Sequence, residues 1–139
     1  MTRHPIPDQA QATGDEPDRP WPARPAAVEL AAALLIVGGT TGLIGLLVSA
    51  SSRPPGTEPF VALTLILDVG AVVLGLLIRL GRFWILAVNF AAVVGFIDLL
   101  GAGGSPLALM LGVADIAVVV ILFLYRPWFD AMRERRADG

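Results

Sequence analysis

Three aspartates lie within long apolar stretches of the chain, where a carboxylate could exchange a proton or bind a cation. They are Asp68, Asp98 and Asp115. If these stretches span a membrane, an ionised Asp at its centre costs about 2.5–3.5 kcal/mol. Asp68 and Asp115 should therefore face inward, be protonated, or both. Two interpretations stay open: the acids take up protons or a cation as the protein changes state, or they form hydrogen bonds that hold helices together.

Two of these acids have the same spacing from an arginine. Asp68 precedes Arg79, and Asp115 precedes Arg126, by eleven residues in each case. At a rise of 1.5 Å per helical residue, each Asp lies about 16 Å from its arginine. That distance predicts a position near the middle of a hydrocarbon core about 30 Å thick.

The third acid is expected nearer the opposite interface. Asp98 follows Arg82 by sixteen residues, which is about 24 Å along a helix. Its charge could meet water there, or Arg53. Within the membrane, the candidate hydrogen-bond partners of the acids are Thr40, Thr41 and Asn89.

The composition is that of a membrane protein. Of 139 residues, 55% are hydrophobic and 16% are charged, against about 25% charged in soluble domains, and the mean hydropathy is +0.73. Four apolar runs predict helices over about residues 27–51, 59–79, 82–101 and 106–126. Each run is about as long as a membrane-spanning helix. Only helices or closed barrels satisfy backbone groups in lipid, and the runs lack the alternation of barrel strands.

The connections between the runs are short and rich in glycine, proline and serine, which forces neighbouring helices to run antiparallel. The predicted fold is therefore an all-α membrane protein with four transmembrane helices in an antiparallel up-down bundle. Residues 1–25 are expected to form a disordered, Pro-rich cytoplasmic tail. Residues 26–129 form the transmembrane domain, and residues 130–139 a short basic cytoplasmic tail.

The arginines predict the orientation. Nine of the ten basic residues would lie on one side of such a bundle, and only Arg53 on the other. Positive residues near span ends stay in the cytoplasm. We therefore expect a multi-pass protein of the cell inner (plasma) membrane with both termini cytoplasmic. The predicted interface anchors are Arg79, Arg82, Trp84, Tyr125, Arg126 and Trp128.

The segments 68–79 and 115–126 resemble each other. Asp and Arg occupy the same two places in both, and two valines and a leucine also match. A duplication would make the bundle two hairpins related by an axis along the membrane normal. The remaining helices match poorly, and valine matches arise easily in such a composition. Duplication and chance similarity therefore both stay open.

Small residues recur at a spacing of four in three runs. The pairs are Gly38 and Gly42, Ala71 and Gly75, and Ala91 and Gly95. Each pair lies on one helix face and permits close backbone approach, within the bundle or between copies of the chain.

Several classes of function find no support in the sequence. There is no Cys, and the single His4 lies in the N-terminal tail. No phosphate loop, nucleophile elbow or metalloprotease motif occurs. We therefore expect no enzyme activity, no cofactor, no metal site and no nucleic-acid partner. The expected partner is the lipid bilayer, with self-association or another membrane protein as further options.

The stretch from about residue 78 to 129 carries a weak resemblance. Gly81-Arg82-Phe83-Trp84 and Tyr125-Arg126-Pro127-Trp128-Phe129 resemble segments of small, mostly uncharacterised four-helix integral membrane proteins of actinobacteria. The resemblance implies a four-helix fold and no particular activity. The small multidrug transporters are similar in length, but they carry an essential acid inside the first helix. In this chain the only acidic residue of the first run is Glu29, at the expected cytoplasmic end of the helix.

The sequence thus predicts a non-enzymatic structural, accessory or interaction component of the membrane. The alternative is a small proton- or cation-coupled transporter that uses Asp68 and Asp115.

Overall fold

The computed structural model describes residues 22–101 and 105–137. Within these ranges the chain is helical and contains no strand. The helices are α1 (Ala26–Val48), α2 (Glu58–Arg79), α3 (Trp84–Gly101), α4 (Pro106–Leu124) and α5 (Arg126–Ala137), with a 3₁₀ turn at Ala50–Ser52. Most of the predicted N-terminal tail lies outside the described residues.

Local chemistry explains where the helices begin and end. The Ser105 hydroxyl accepts a hydrogen bond from the Ala108 amide at 3.5 Å, and Pro106 occupies the first helical position of α4, where its missing N–H costs nothing. After α2, Gly81 has φ +64° and Phe83 has φ +57°. These left-handed conformations end α2 and separate it from α3. Helix α3 therefore begins at Trp84, two residues after the predicted start at residue 82.

Helices α1 to α4 are each long and apolar enough to span a membrane, as the sequence predicted. Their outer surfaces are strongly apolar: the large hydrophobic side chains of Leu47, Phe60, Met110 and Leu124 are all at least 70% exposed. Such surfaces suit lipid rather than water. Over residues 22–101 and 105–137 the chain therefore has the architecture of a multi-pass helical membrane protein.

The core lies mainly within two helix pairs. Helix α1 packs chiefly against α2, and α3 against α4, with a further contact between α1 and α4. Small residues allow the close approach. A Cβ added to Gly75 of α2 would lie 2.9 Å from the carbonyl oxygen of Ala32 in α1, and one added to Gly112 of α4 would lie 3.1 Å from the carbonyl oxygen of Gly95 in α3. The small-residue faces are thus used inside the chain.

The segment predicted to be a short basic tail, residues 130–139, is helical as far as Ala137. Residues 126–137 form α5, with Pro127 in its first turn and Phe129 buried. The helix begins anew after Tyr125, whose carbonyl oxygen accepts a hydrogen bond from the Trp128 amide at 3.0 Å. The many charges of this segment suggested a tail, but they occupy only part of an amphipathic helix.

Candidate functional site

Asp68 lies at the interface of α1 and α2. Its carboxyl group occupies the space that a Cβ on Gly42 would fill. Its own backbone carbonyl oxygen likewise faces Gly39. The Oδ2 atom is buried without a hydrogen-bond partner among the described residues. The two glycines of α1 therefore create the space that accommodates this acid between the helices.

Asp115 lies in the corresponding interface of α3 and α4. A Cβ added to Gly95 of α3 would come within 2.9 Å of the Asp115 Cβ and 3.4 Å of the Gly112 carbonyl oxygen. Leu99, one turn further along α3, packs over Gly112, where an added Cβ would meet its Cγ at 2.8 Å. Both acids expected near the bilayer centre thus pack against a glycine of the partner helix.

Asp98 belongs to the same internal region as Asp115. Both line one cavity of about 40 Å³. The cavity also borders Gly38 and Gly39 of α1 and Ala71 of α2, so it lies where all four long helices meet. A water molecule needs a volume of about 10–15 Å³ and several polar partners, and this cavity provides the volume and two carboxyl groups.

Asp98 forms no ion pair with Arg53 among the residues that the structure describes. Its spacing from Arg82 predicts a position near the outer interface, where its charge could meet water or Arg53. The Arg53 guanidinium instead donates hydrogen bonds to the Leu46 carbonyl and, at 3.1 Å, to the Ser49 hydroxyl. Arginine at this position reaches the free carbonyl groups at the end of α1.

The candidate polar partners form hydrogen bonds within their own helices. The Thr40 hydroxyl donates to the Ile36 carbonyl at 2.7 Å, and the Thr41 hydroxyl to the Val37 carbonyl at 2.8 Å. The Asn89 amide donates to the Ile85 carbonyl, also at 2.8 Å. All three side chains are exposed. This differs from the expected pairing with the acids, because short polar side chains in lipid-facing positions readily bond to the carbonyl four residues earlier.

The predicted interface anchors gather at one end of the molecule. Arg79 pairs with Glu29 of α1, with 3.0 Å between Nε and Oε2, and Arg24 is a second partner of Glu29. The Arg126 guanidinium lies 5.6 Å from the centre of the Trp84 ring, close enough for a cation–π interaction. It also pairs with Asp130 at 3.4 Å.

Aromatic contacts attach α5 to the rest of the chain. The Phe129 ring lies 6.4 Å from the Trp84 ring and 4.9 Å from the Trp128 ring. A Cβ added to Gly81 would lie 3.3 Å from both Trp128 and Met132. This docking of α5 was not predicted from the sequence. The signal was the spacing of Trp128, Phe129 and Met132, which places apolar side chains on one face of a helix.

Beside α5 the structure contains a large cleft, which was not predicted from the sequence either. It has a volume of about 770 Å³ and lies between α5 and the first turns of α3. Three arginines (Arg82, Arg133 and Arg136) line it together with apolar side chains that include Phe83 and Ile85.

Metal binding finds no support in the described part of the chain, where no three His, Cys, Asp or Glu residues form a group that could hold an ion. Comparison with protein-family models, curated proteins and solved structures finds no match for the chain.

Proposed function

We propose that the chain is a non-enzymatic structural, accessory or interaction component of the cell inner (plasma) membrane. The observation that carries the proposal is the placement of the intramembrane acids. Asp68 packs against Gly42 of α1, and Asp115 packs against Gly95 of α3. In that position a carboxyl group contributes to close helix packing, which is a structural role.

The fold we propose is an antiparallel up-down bundle of the four long helices. Contacts along each helix pair support it. In the first pair, Glu29 meets Arg79 while Gly42 meets Asp68, so residue numbers rise in α1 as they fall in α2. In the second pair, the Trp84 ring lies 6.2 Å from the Phe123 ring, while Gly95 meets Asp115. The matching placement of the acids also favours two related hairpins.

Both termini are proposed to be cytoplasmic. The arginine distribution supports this orientation, because Arg79, Arg82 and Arg126 gather with α5 at one end and Arg53 lies beyond the far end of α1. The resemblance to small four-helix actinobacterial membrane proteins is in keeping with the same arrangement.

The test of a structural role is a neutral replacement of both acids. The Asp68→Asn/Asp115→Asn variant and the parent should insert into vesicles equally and unfold within about 1 kcal/mol of each other. Neither should conduct protons or cations above empty vesicles. Glu58→Gln, which removes an exposed acid from the first turn of α2, is the matched control. The proposal would be overturned if the parent and the Glu58→Gln control conducted protons or cations and the double variant did not.

A second candidate is a small proton- or cation-coupled transporter, and the shared cavity of Asp98 and Asp115 favours it. Two carboxyl groups that line one cavity inside the bundle are suited to bind a proton or a cation. On this hypothesis, pH-dependent flux in vesicles disappears in Asp115→Asn and in Asp98→Asn but persists in Glu58→Gln. Equal flux in all four proteins would exclude it.

A further inference from the structure

The cleft beside α5 combines positive charge with an apolar wall. Arg82 comes from the turn before α3, whereas Arg133 and Arg136 come from α5. Among the residues that the structure describes, no acidic side chain lines the cleft; Asp130 and Glu134 border a separate groove on α5, which Arg133 also touches. The electrostatic field inside the cleft therefore favours an anion.

Two of the arginines are available to a ligand. The Arg82 and Arg133 side chains are exposed, and neither forms an ion pair within residues 22–101 and 105–137. Arg136 instead donates hydrogen bonds to the Leu80 carbonyl and, at 3.3 Å, to the Gly81 carbonyl. That contact connects α5 to the turn that precedes α3. Planar guanidinium groups are well suited to bind phosphate oxygens.

The apolar wall continues into a membrane-spanning helix. Phe83, Ile85 and Leu86 line the cleft and are 58%, 57% and 54% exposed. Ile85 and Leu86 belong to the first turn of α3, one of the four candidate spans. A ligand that fills the cleft thus meets both arginine side chains and the start of an exposed apolar helix surface. A free phosphate would leave that apolar wall uncovered.

We infer that this cleft binds one anionic phospholipid, with its phosphate between Arg82 and Arg133 and an acyl chain along Phe83, Ile85 and Leu86. The inference rests on the proposed membrane insertion, and it adds a specific lipid site to it. With the proposed orientation, the lipid belongs to the cytoplasmic leaflet. The binding chemistry is phosphate recognition by arginine combined with burial of hydrocarbon.

The test measures lipid binding to the purified full chain in neutral detergent. Phosphatidylglycerol and phosphatidylcholine with brominated acyl chains are titrated while quenching of tryptophan fluorescence is followed, since Trp84 lines the cleft. We expect phosphatidylglycerol to bind at least about tenfold more tightly than phosphatidylcholine. The Arg82→Gln/Arg133→Gln variant should lose that preference.

The matched control is Arg24→Gln/Arg53→Gln, which removes two positive charges outside the cleft and should keep the preference. Equal binding of the two lipids to the parent would overturn the inference. So would a control variant that loses the preference for phosphatidylglycerol as fully as the Arg82→Gln/Arg133→Gln variant does. Competition by inorganic phosphate at the same concentration as the lipid would show a simple anion site and also overturn it. Failure of the parent to float with vesicles would instead contradict the proposed membrane function.

Discussion

The backbone carbonyl oxygen of Asp68 lies where a Cβ on Gly39 would have to be. This contact brings the backbones of α1 and α2 together at the level of the first intramembrane acid. Since backbone atoms cannot rotate away as a side chain can, the position accepts only glycine without a shift of one helix.

Gly39→Ala should therefore destabilise the protein by about 1–3 kcal/mol. The measurement is reversible unfolding in mixed micelles with increasing sodium dodecyl sulfate, followed by helical circular dichroism. Gly45→Ala is the matched control, because a Cβ at Gly45 meets nothing within 4 Å. Equal stability of the two variants would contradict the packing described for α1 and α2.

Gly42→Ala should act through the side chain of Asp68 rather than through its backbone, because the added methyl group displaces the carboxyl group. In a double-mutant cycle with Asp68→Ala, the two changes should be coupled by about 0.5–3 kcal/mol, since removal of the carboxyl group makes room for the methyl group. The same unfolding assay measures the coupling. Strictly additive effects would show that the two groups do not touch.

Phe129→Ala should release α5 from the turn between α2 and α3. Phe129 is only 2% exposed and contacts both Trp84 and Trp128, so the truncation leaves a cavity at the base of α5. Hydrogen–deuterium exchange should become faster across residues 126–137 while α1 to α4 stay protected. Phe96→Ala, at a 63% exposed position, should leave the exchange of α5 unchanged. Unaltered protection in Phe129→Ala would contradict the docking.

The absence of cysteine from the sequence makes the orientation directly measurable. Single variants Arg53→Cys and Leu80→Cys should react with a membrane-impermeant maleimide from opposite faces of the membrane. Inverted vesicles expose the cytoplasmic face of the membrane. In them Leu80→Cys should be labelled directly, whereas Arg53→Cys should be labelled only after the vesicles are permeabilised. Labelling of both from the same face would refute the antiparallel arrangement of α1 and α2.

The spans could be predicted from sequence because hydrocarbon thickness sets the length of an apolar run. The small-residue spacing likewise indicated that Gly42 and Gly95 face a partner. It did not identify the partner, because contacts such as those of Gly42 with Asp68 and Gly95 with Asp115 depend on the rotation of each helix. No single helix contains that information.

The shared cavity of Asp98 and Asp115 escaped prediction for the same reason. Counting residues from Arg82 gives a depth for Asp98 along α3, but not the side on which it faces α4. The helix α5 was missed on different grounds. Its charges match those of a solvated tail, and it differs from one in the burial of Phe129 and in the packing of Met132 against Gly81.

The hydrogen bonds from Arg136 to the carbonyl groups of Leu80 and Gly81 join positions more than fifty residues apart in the chain. A deletion that begins at Arg136 would therefore remove hydrogen bonds from the turn at Leu80 and Gly81, far away in the sequence. A reporter domain inserted directly after Ala137 would therefore lie beside Arg136, and a flexible spacer would be needed to leave these two hydrogen bonds intact.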